Sequence, residues 1–326
     1  MTYDLVIIGG GVAGLTLAQT LQDRLKVLVI EESSLGGLST DLGCKATDEC
    51  LYCGVCQFIN LQKELFFKKF DVLEGRKITF LDKSGREFQI KTEKGERITS
   101  QLLVVATGAS PLEIKSLPLL GGGKFPRVYS GWDIERGLNE GIISSFRDFS
   151  SLAFIQCAGS RNFKEKRGYC SQVCCRYALR IAENLKFSYP QINIDFYYMD
   201  LQILGKKKGK LWEIADKVNL IRHLPYEVKE REGKLSLVFE EQGVERKDYD
   251  AVILSVGMIP SSGTKEIGRW LGLNFDSTGF IKSYGEGHTS CKGVFVCGTA
   301  CGPKDIETTR EETQMVAEEI WRVGRG

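Results

Sequence analysis

The chain reads as an α/β protein with two βαβ-type units, and three observations predict it. The apolar run Tyr3-Asp-Leu-Val-Ile-Ile8 leads straight into Gly9-Gly-Gly11-Val-Ala-Gly14 and then a helix-periodic stretch, so strand, glycine turn and helix follow in order. The same order recurs at Leu152-Ala-Phe-Ile155, a turn, and a helical pattern over Arg176–Lys186, but this second turn is filled with cysteines. A last strand, Val294-Phe-Val296, precedes a long terminal helix.

Length and composition set the outer bounds. With 326 residues, 42% hydrophobic and 26% charged, the chain can bury two ordinary globular cores. A formal net charge of +2 suggests neither a nucleic-acid footprint nor an acidic tail. The short basic run Lys206-Lys-Lys-Gly-Lys210 reads as a solvated loop. No apolar stretch approaches the ~20 residues of a membrane span, and the N-terminus lacks the charged start of a signal peptide. Eleven cysteines, clustered and odd in number, then favour metal, cluster or redox thiols over disulfides, which makes a cytoplasmic protein the expectation.

In the first unit, the Gly9, Gly11 and Gly14 turn opens a helix at Val12 and Ala13, and a second strand, Lys26-Val-Leu-Val-Ile30, ends at Glu31. Glu31 stands where a dinucleotide fold needs an acid for a ribose hydroxyl. A hairpin-rich stretch over residues 71–100 follows, closed by Leu102-Leu-Val-Val-Ala-Thr107-Gly108. Near the end, Val294-Phe-Val-Cys-Gly298 runs into Gly302-Pro303-Lys304-Asp305-Ile-Glu307. Pro303 suits a first helical position, and Asp305 and Glu307 suit the positive end of the helix dipole. This three-part arrangement resembles the flavoproteins with two dinucleotide-binding domains, the glutathione-reductase and thioredoxin-reductase superfamily. The resemblance implies two Rossmann-like domains, the FAD-binding one discontinuous over residues 1–125 and 262–326, with 126–261 inserted. It implies FAD contacts at the glycine turn, Gly36, Gly37, Thr107, Gly108, Gly298 and Asp305. Lys304, next to the start of the last helix, reads as a further contact, a cation near the isoalloxazine edge, with a solvated loop lysine as the alternative.

Those reductases often carry L-G-G-x-C-x4-C beside the flavin. Here the segment is Leu35-Gly-Gly37-Leu-Ser39-Thr-Asp-Leu-Gly-Cys44, so Ser39 removes one partner of that disulfide. Instead Cys44, Cys50, Cys53 and Cys56 give C-x5-C-x2-C-x2-C. Successive C-x-x-C steps suit an iron–sulfur cube; a zinc site and reduced structural thiols stay open as alternatives. In the inserted unit Cys157, Cys170, Cys174 and Cys175 give C-x12-C-x3-C-C in the turn that normally cradles pyrophosphate, where Gly159 is what remains of a glycine fingerprint. The strand Asn193–Met199 ends at Asp200, which without that turn loses its ribose role. A hairpin at Lys234–Phe239 and a return strand over Tyr249–Pro260 complete the unit. His223 and His288 read as satisfied or surface residues.

A narrower resemblance rests on Ile155-Gln-Cys-Ala-Gly-Ser-Arg161, Tyr169-Cys-Ser-Gln-Val-Cys-Cys-Arg-Tyr-Ala178, Phe196–Asp200, Leu254–Pro260 and Gly302–Ile306. These segments look like the A subunit of heterodisulfide reductase, and the short length is similar to the A-like subunits of sulfur-oxidising prokaryotes. The resemblance implies a [4Fe–4S] cluster on Cys157, Cys170, Cys174 and Cys175, a second possible cluster on the N-terminal four, and B- and C-type partner subunits. It also implies a homodimer and an electron-transfer role in cytoplasmic sulfur oxidation. The competing readings are a pyridine-nucleotide-dependent disulfide or rubredoxin reductase, and a scaffold subunit with vestigial FAD.

Overall fold

Strand β1 (Thr2–Ile8) buries both faces: Leu5 and Ile7 enter one core, and Val6 and Ile8 enter the other. That two-sided burial explains its continuous apolar run, since a central parallel strand has no solvated face. The computed structural model describes residues 1–203, 208–241 and 243–325. They form two units: Met1–Thr40, Gly54–Ser110 and Ile259–Gly326 make unit 1, and Asp41–Cys53 with Pro111–Met258 make unit 2. The inserted segment thus begins nearer Ser110 than the expected residue 126, and a short N-terminal stretch goes with it.

In unit 1, α1 (Val12–Leu21), β2 (Val27–Glu31), α2 (Val55–Glu64), β3 (Asp71–Glu74), β4 (Ile78–Ser84), β5 (Glu87–Thr92) and β6 (Arg97–Val105) follow β1. The sheet order is β3-β2-β1-β6-β5-β4. β1 pairs in parallel with β2 and β6, while β4, β5 and β6 form an antiparallel meander. The chain passes to unit 2 at short strand β7 (Ala109–Pro111).

Unit 2 contains β8 (Val128–Ser130), α3 (Gly131–Gly137), β9 (Ser151–Ala158), α4 (Cys174–Ser188), β10 (Asn193–Tyr197), α5 (Lys208–Ala215) and β11 (Asn219–Ile221). An antiparallel sheet follows, of β12 (Glu227–Arg231), β13 (Lys234–Glu241) and β14 (Gly243–Tyr249), and then β15 (Ala251–Val256). The main sheet is parallel, in the order β11-β10-β9-β15-β8. β9 is therefore central, and its C-terminal end opens at the cysteine turn. Residues 206 and 207 of the basic run lie outside the described residues; Lys210 lies in α5 and pairs with Glu49 and Glu213.

After β16 (Met258–Pro260), unit 1 resumes with α6 (Ser262–Trp270), β17 (Val294–Val296) parallel to β6, and α7 (Ile306–Gly324). Val316, Ala317 and Ile320 of α7 join Ala13 and Leu17 of α1 in one core. Pro303 does not start the helix as expected. Asp305 is the cap, accepting from Thr308 N at 2.8 Å, and this charged acceptor fixes the first turn two residues after the proline. Among the described residues no helix is long and apolar enough to cross a membrane.

Candidate functional site

The glycine turn of unit 1 is shaped by what its three glycines avoid. A Cβ on Gly9 would overlap the Ala106 carbonyl, and one on Gly14 would overlap the Gly9 carbonyl, so both permit close helix–strand packing. Gly11 is different: nothing lies within 4 Å of an added Cβ. It is also the N-cap of α1 and offers no capping side chain, which leaves helix N–H groups facing open space. Gly36 N donates to Gly10 O at 2.7 Å, and Gly37 lies against Gly11. Glu31 ends β2 and receives Gly10 N at 2.7 Å and Ser33 N at 2.9 Å. An open cradle at an uncapped helix start fits a pyrophosphate.

Thr107 and Gly108 follow β6 and are clamped by the start of α6. Thr107 Oγ1 lies 2.8 Å from Thr264 Oγ1, Thr264 Oγ1 donates to Gly108 O at 2.7 Å, and Ser261 Oγ donates to Thr107 O at 3.0 Å. Gly298 approaches α1 so closely that a Cβ would lie 2.6 Å from that of Ala13. Lys304 is drawn into a local network: its Nζ donates to both Glu312 oxygens at 2.8 and 2.9 Å, to Gly298 O at 2.9 Å and to Cys301 Sγ at 3.3 Å. Glu312 also accepts from Gly298 N at 2.9 Å. Burial acts to lower the Lys304 pKa, but the Cys301 sulfur and the Glu312 carboxylate beside it outweigh that, so the ammonium is held. Burial pushes the Cys301 thiol up to about 11. Sequence reasoning missed Ser261 and Thr264, which act on Thr107 and Gly108 far away in the chain, and Glu312, which α7 turns back onto Gly298 and Lys304 without a motif to mark it.

In unit 2 the four cysteines are distributed rather than confined to a turn. Cys157 is the penultimate residue of β9, in the left-handed region at φ 56°, Cys170 lies in the loop, and Cys174 and Cys175 open α4. Each of the six pairs among them is near enough for thiolate charges to repel. Burial is the leading influence that raises these thiols: Cys157 to about 11, Cys174 well above its ordinary value, and Cys175 in the same direction. Three sulfurs raised by burial, with Cys170 beside them, suit a positively charged metal centre that takes them as thiolates. Gln172 N points at Cys170 Sγ at 3.3 Å. Arg161, also left-handed at φ 54°, forms an ion pair with Asp200 that ties the loop to the segment after β10. Arg167 donates to Gly159 O at 2.7 Å, and Tyr169 OH to Met258 O at 2.7 Å.

Gly159 does not reproduce the open cradle of Gly11. An added Cβ would run into Leu112, with Leu117 at 3.4 Å.

The N-terminal cysteines are not gathered in one unit. Cys44, Cys50 and Cys53 belong to unit 2, and Cys56 lies in α2 of unit 1. The loop carrying the first three is fastened to α4 and α3. Arg180 donates to Leu51 O and Tyr52 O, both at 2.7 Å, and Asn184 to Lys45 O at 2.6 Å. Lys45 and Glu135, each with a side chain 3% exposed, form an ion pair at 2.5 Å.

Comparison with known proteins agrees with this architecture. Residues 3–130 match the pyridine nucleotide-disulphide oxidoreductase family. The A subunit of the ferredoxin:CoB-CoM heterodisulfide reductase of Methanosarcina acetivorans is 31% identical over 262 residues, covering 66% of this chain and 32% of the relative. The A subunit of the ferredoxin/F(420)H(2)-dependent CoB-CoM heterodisulfide reductase of the same organism is 27% identical over 297 residues, 85% of this chain and 34% of the relative. The chain spans about a third of the length of these curated relatives. Lactococcus lactis thioredoxin reductase superposes with a TM-score of 0.69 at 20% identity, covering 99% of each chain. The fold is thus thioredoxin reductase-like, with Rossmann-type α/β units, and the resemblance to heterodisulfide reductase A subunits read from the cysteine segments holds.

Proposed function

We propose that this relative of heterodisulfide reductase A subunits is an electron-transfer oxidoreductase subunit holding FAD in unit 1 and a [4Fe–4S] cluster in unit 2. Its proposed setting is a heterodisulfide reductase-like complex of cytoplasmic sulfur oxidation, with B- and C-type subunits and a second copy of itself as partners. Bound flavin would supply two-electron chemistry and the cluster single-electron steps. In unit 1, Gly11 and the first N–H groups of α1 receive the pyrophosphate, and Glu31 stands at the ribose end. The Thr107–Gly108 loop and Gly298 shape the remaining wall, with Lys304 held by Glu312 beside Gly298. In unit 2, Cys157, Cys170, Cys174 and Cys175 are the proposed ligands. The Cys44, Cys50, Cys53 and Cys56 set is proposed less centrally, because its members are divided between units.

One observation carries the reading: the end of β9, the loop after it and the start of α4 bring four thiols to the place where unit 1 has its glycine turn. That favours electron transfer through thiolate-bound iron over hydride delivery from a nicotinamide. Anaerobic purification with iron, sulfide and flavin assays tests it. The expected result is one flavin and about four iron per chain, or about eight if the N-terminal set is also loaded. Iron-free protein whose flavin is bleached rapidly by NADH or NADPH would instead establish a pyridine-nucleotide reductase.

A further inference from the structure

Unit 1 carries a second group of donors that neither the glycine turn nor the cysteines use. Between α6 and β17 the chain reverses at Tyr284-Gly-Glu-Gly-His288, where His288 N donates to Gly285 O at 2.8 Å and Tyr284 N to His288 O at 2.9 Å. Glu286 occupies the left-handed region at φ 46°, a strained choice for a residue with a side chain. Its neighbour Gly287 is pinned: Val296 N donates to its carbonyl at 2.8 Å, and a Cβ would press on Val296 O and the Val316 methyls at 2.9 Å. The turn is therefore held against β17 and α7.

This turn brings the Glu286 carboxylate, the His288 ring and the Glu319 carboxylate of α7 together, one ligand atom of each lying within 4.8 Å of the others. His288 Nε2 is 2.7 Å from Glu319 Oε1, and its ring packs on Phe295 with centroids 4.9 Å apart. The Glu319 side chain is only 5% exposed, yet it lines a shallow cleft shared with Glu286, Gln314, Met315, Glu318 and Arg322. Arg322, whose side chain is 74% exposed, donates to Glu319 at 2.6 and 2.7 Å. The Glu286 carboxylate has no hydrogen-bond partner among the described residues.

We propose that Glu286, His288 and Glu319 form a binding site for a divalent first-row transition-metal ion. Two carboxylates and one imidazole supply a mixed oxygen and nitrogen donor set, and the open side of the cleft leaves room for water ligands. The strained turn presents Glu286 beside a pair that is already assembled, and Phe295 fixes the plane of the imidazole. Arg322 covers Glu319 while no ion is bound; its exposed guanidinium can withdraw into solvent. Arg322 is thus a competing cation, and its removal favours the metal.

Mn2+ is the suitable probe, because carboxylate and imidazole bind it while thiolates select softer ions. Free Mn2+ is read by electron paramagnetic resonance during titration of the full chain as purified. One ion per chain is expected, with affinity falling roughly tenfold or more in Glu286→Gln and in His288→Ala, and rising in Arg322→Ala. Glu286 is exposed on its turn, so Glu286→Gln keeps the test valid should His288→Ala loosen the fold. Identical titrations for wild type, Glu286→Gln and His288→Ala, or no uptake by the wild type at millimolar Mn2+, would overturn the site.

Discussion

Gly11 and Gly14 stand three residues apart, yet substituting them should have opposite consequences. Gly11 borders open space, so Gly11→Ala should leave thermal stability of the flavin-free chain nearly unchanged while its methyl enters the cradle and flavin occupancy falls. Gly14 has no such room, since its Cβ would overlap the Gly9 carbonyl. Gly14→Ala should therefore destabilise the flavin-free chain itself, by about 3 kcal/mol or more. Denaturant unfolding and flavin content, measured side by side, separate the two; equal flavin loss with equal destabilisation would contradict this division. Asp250 supplies a residue-scale pH dependence. Its carboxylate receives Ser150 N at 2.8 Å and Ser151 N at 3.0 Å and pairs with Lys234. Burial alone would raise its pKa, but Lys234 and the Ser150 and Ser151 donors hold it below the ordinary carboxylate value. The stabilisation is thus present above the unfolded pKa of about 3.9 and is lost as pH falls through the lower folded value. Asp250→Ala should cost about 2 kcal/mol at neutral pH, with the difference from wild type shrinking in acid. A difference constant from neutrality to pH ~3 would show that the carboxylate charge is not responsible.

At the scale of elements, α4 does two jobs. Its first turn presents Cys174 and Cys175, and its middle, through Arg180 and Asn184, fastens the Asp41–Cys53 loop. The Lys45–Glu135 pair is the buried end of that fastening. Removing one partner of a buried ion pair leaves a desolvated charge, so Lys45→Met should destabilise unit 2 by roughly 3–5 kcal/mol, and adding Glu135→Leu should recover most of the loss. Failure of the double variant to regain stability would mean that Lys45 acts through its bond to Gly43 O rather than through the ion pair. This fastening was not legible in the sequence, where Lys45 and Glu135 are distant and neither matches a motif. The N-terminus of α7 was only partly legible. Pro303 is a common first helical residue, but the Asp305 carboxylate reaches Thr308 N and begins the helix later.

Over the whole molecule, the first unit was read easily because strand, glycine spacing and acid are all local in sequence. The cysteine turn was equally visible as a pattern. What the pattern could not show is how the surroundings close it: Leu112 packs on Gly159 and Tyr169 bonds to Met258, and a contact between distant segments leaves no local periodicity. The two units keep separate cores, which gives a prediction for the entire chain. Paired Cys174→Ser and Cys175→Ser substitutions should abolish unit 2 iron while flavin stays near one per chain; simultaneous loss of flavin would show that the units do not load independently. The close approach of Leu112 to Gly159 also has a consequence for substitution. Any side chain at residue 159 would meet a left-handed backbone and the Leu112 methyl together, so the position is locked from two sides and Gly159→Ala should destabilise unit 2.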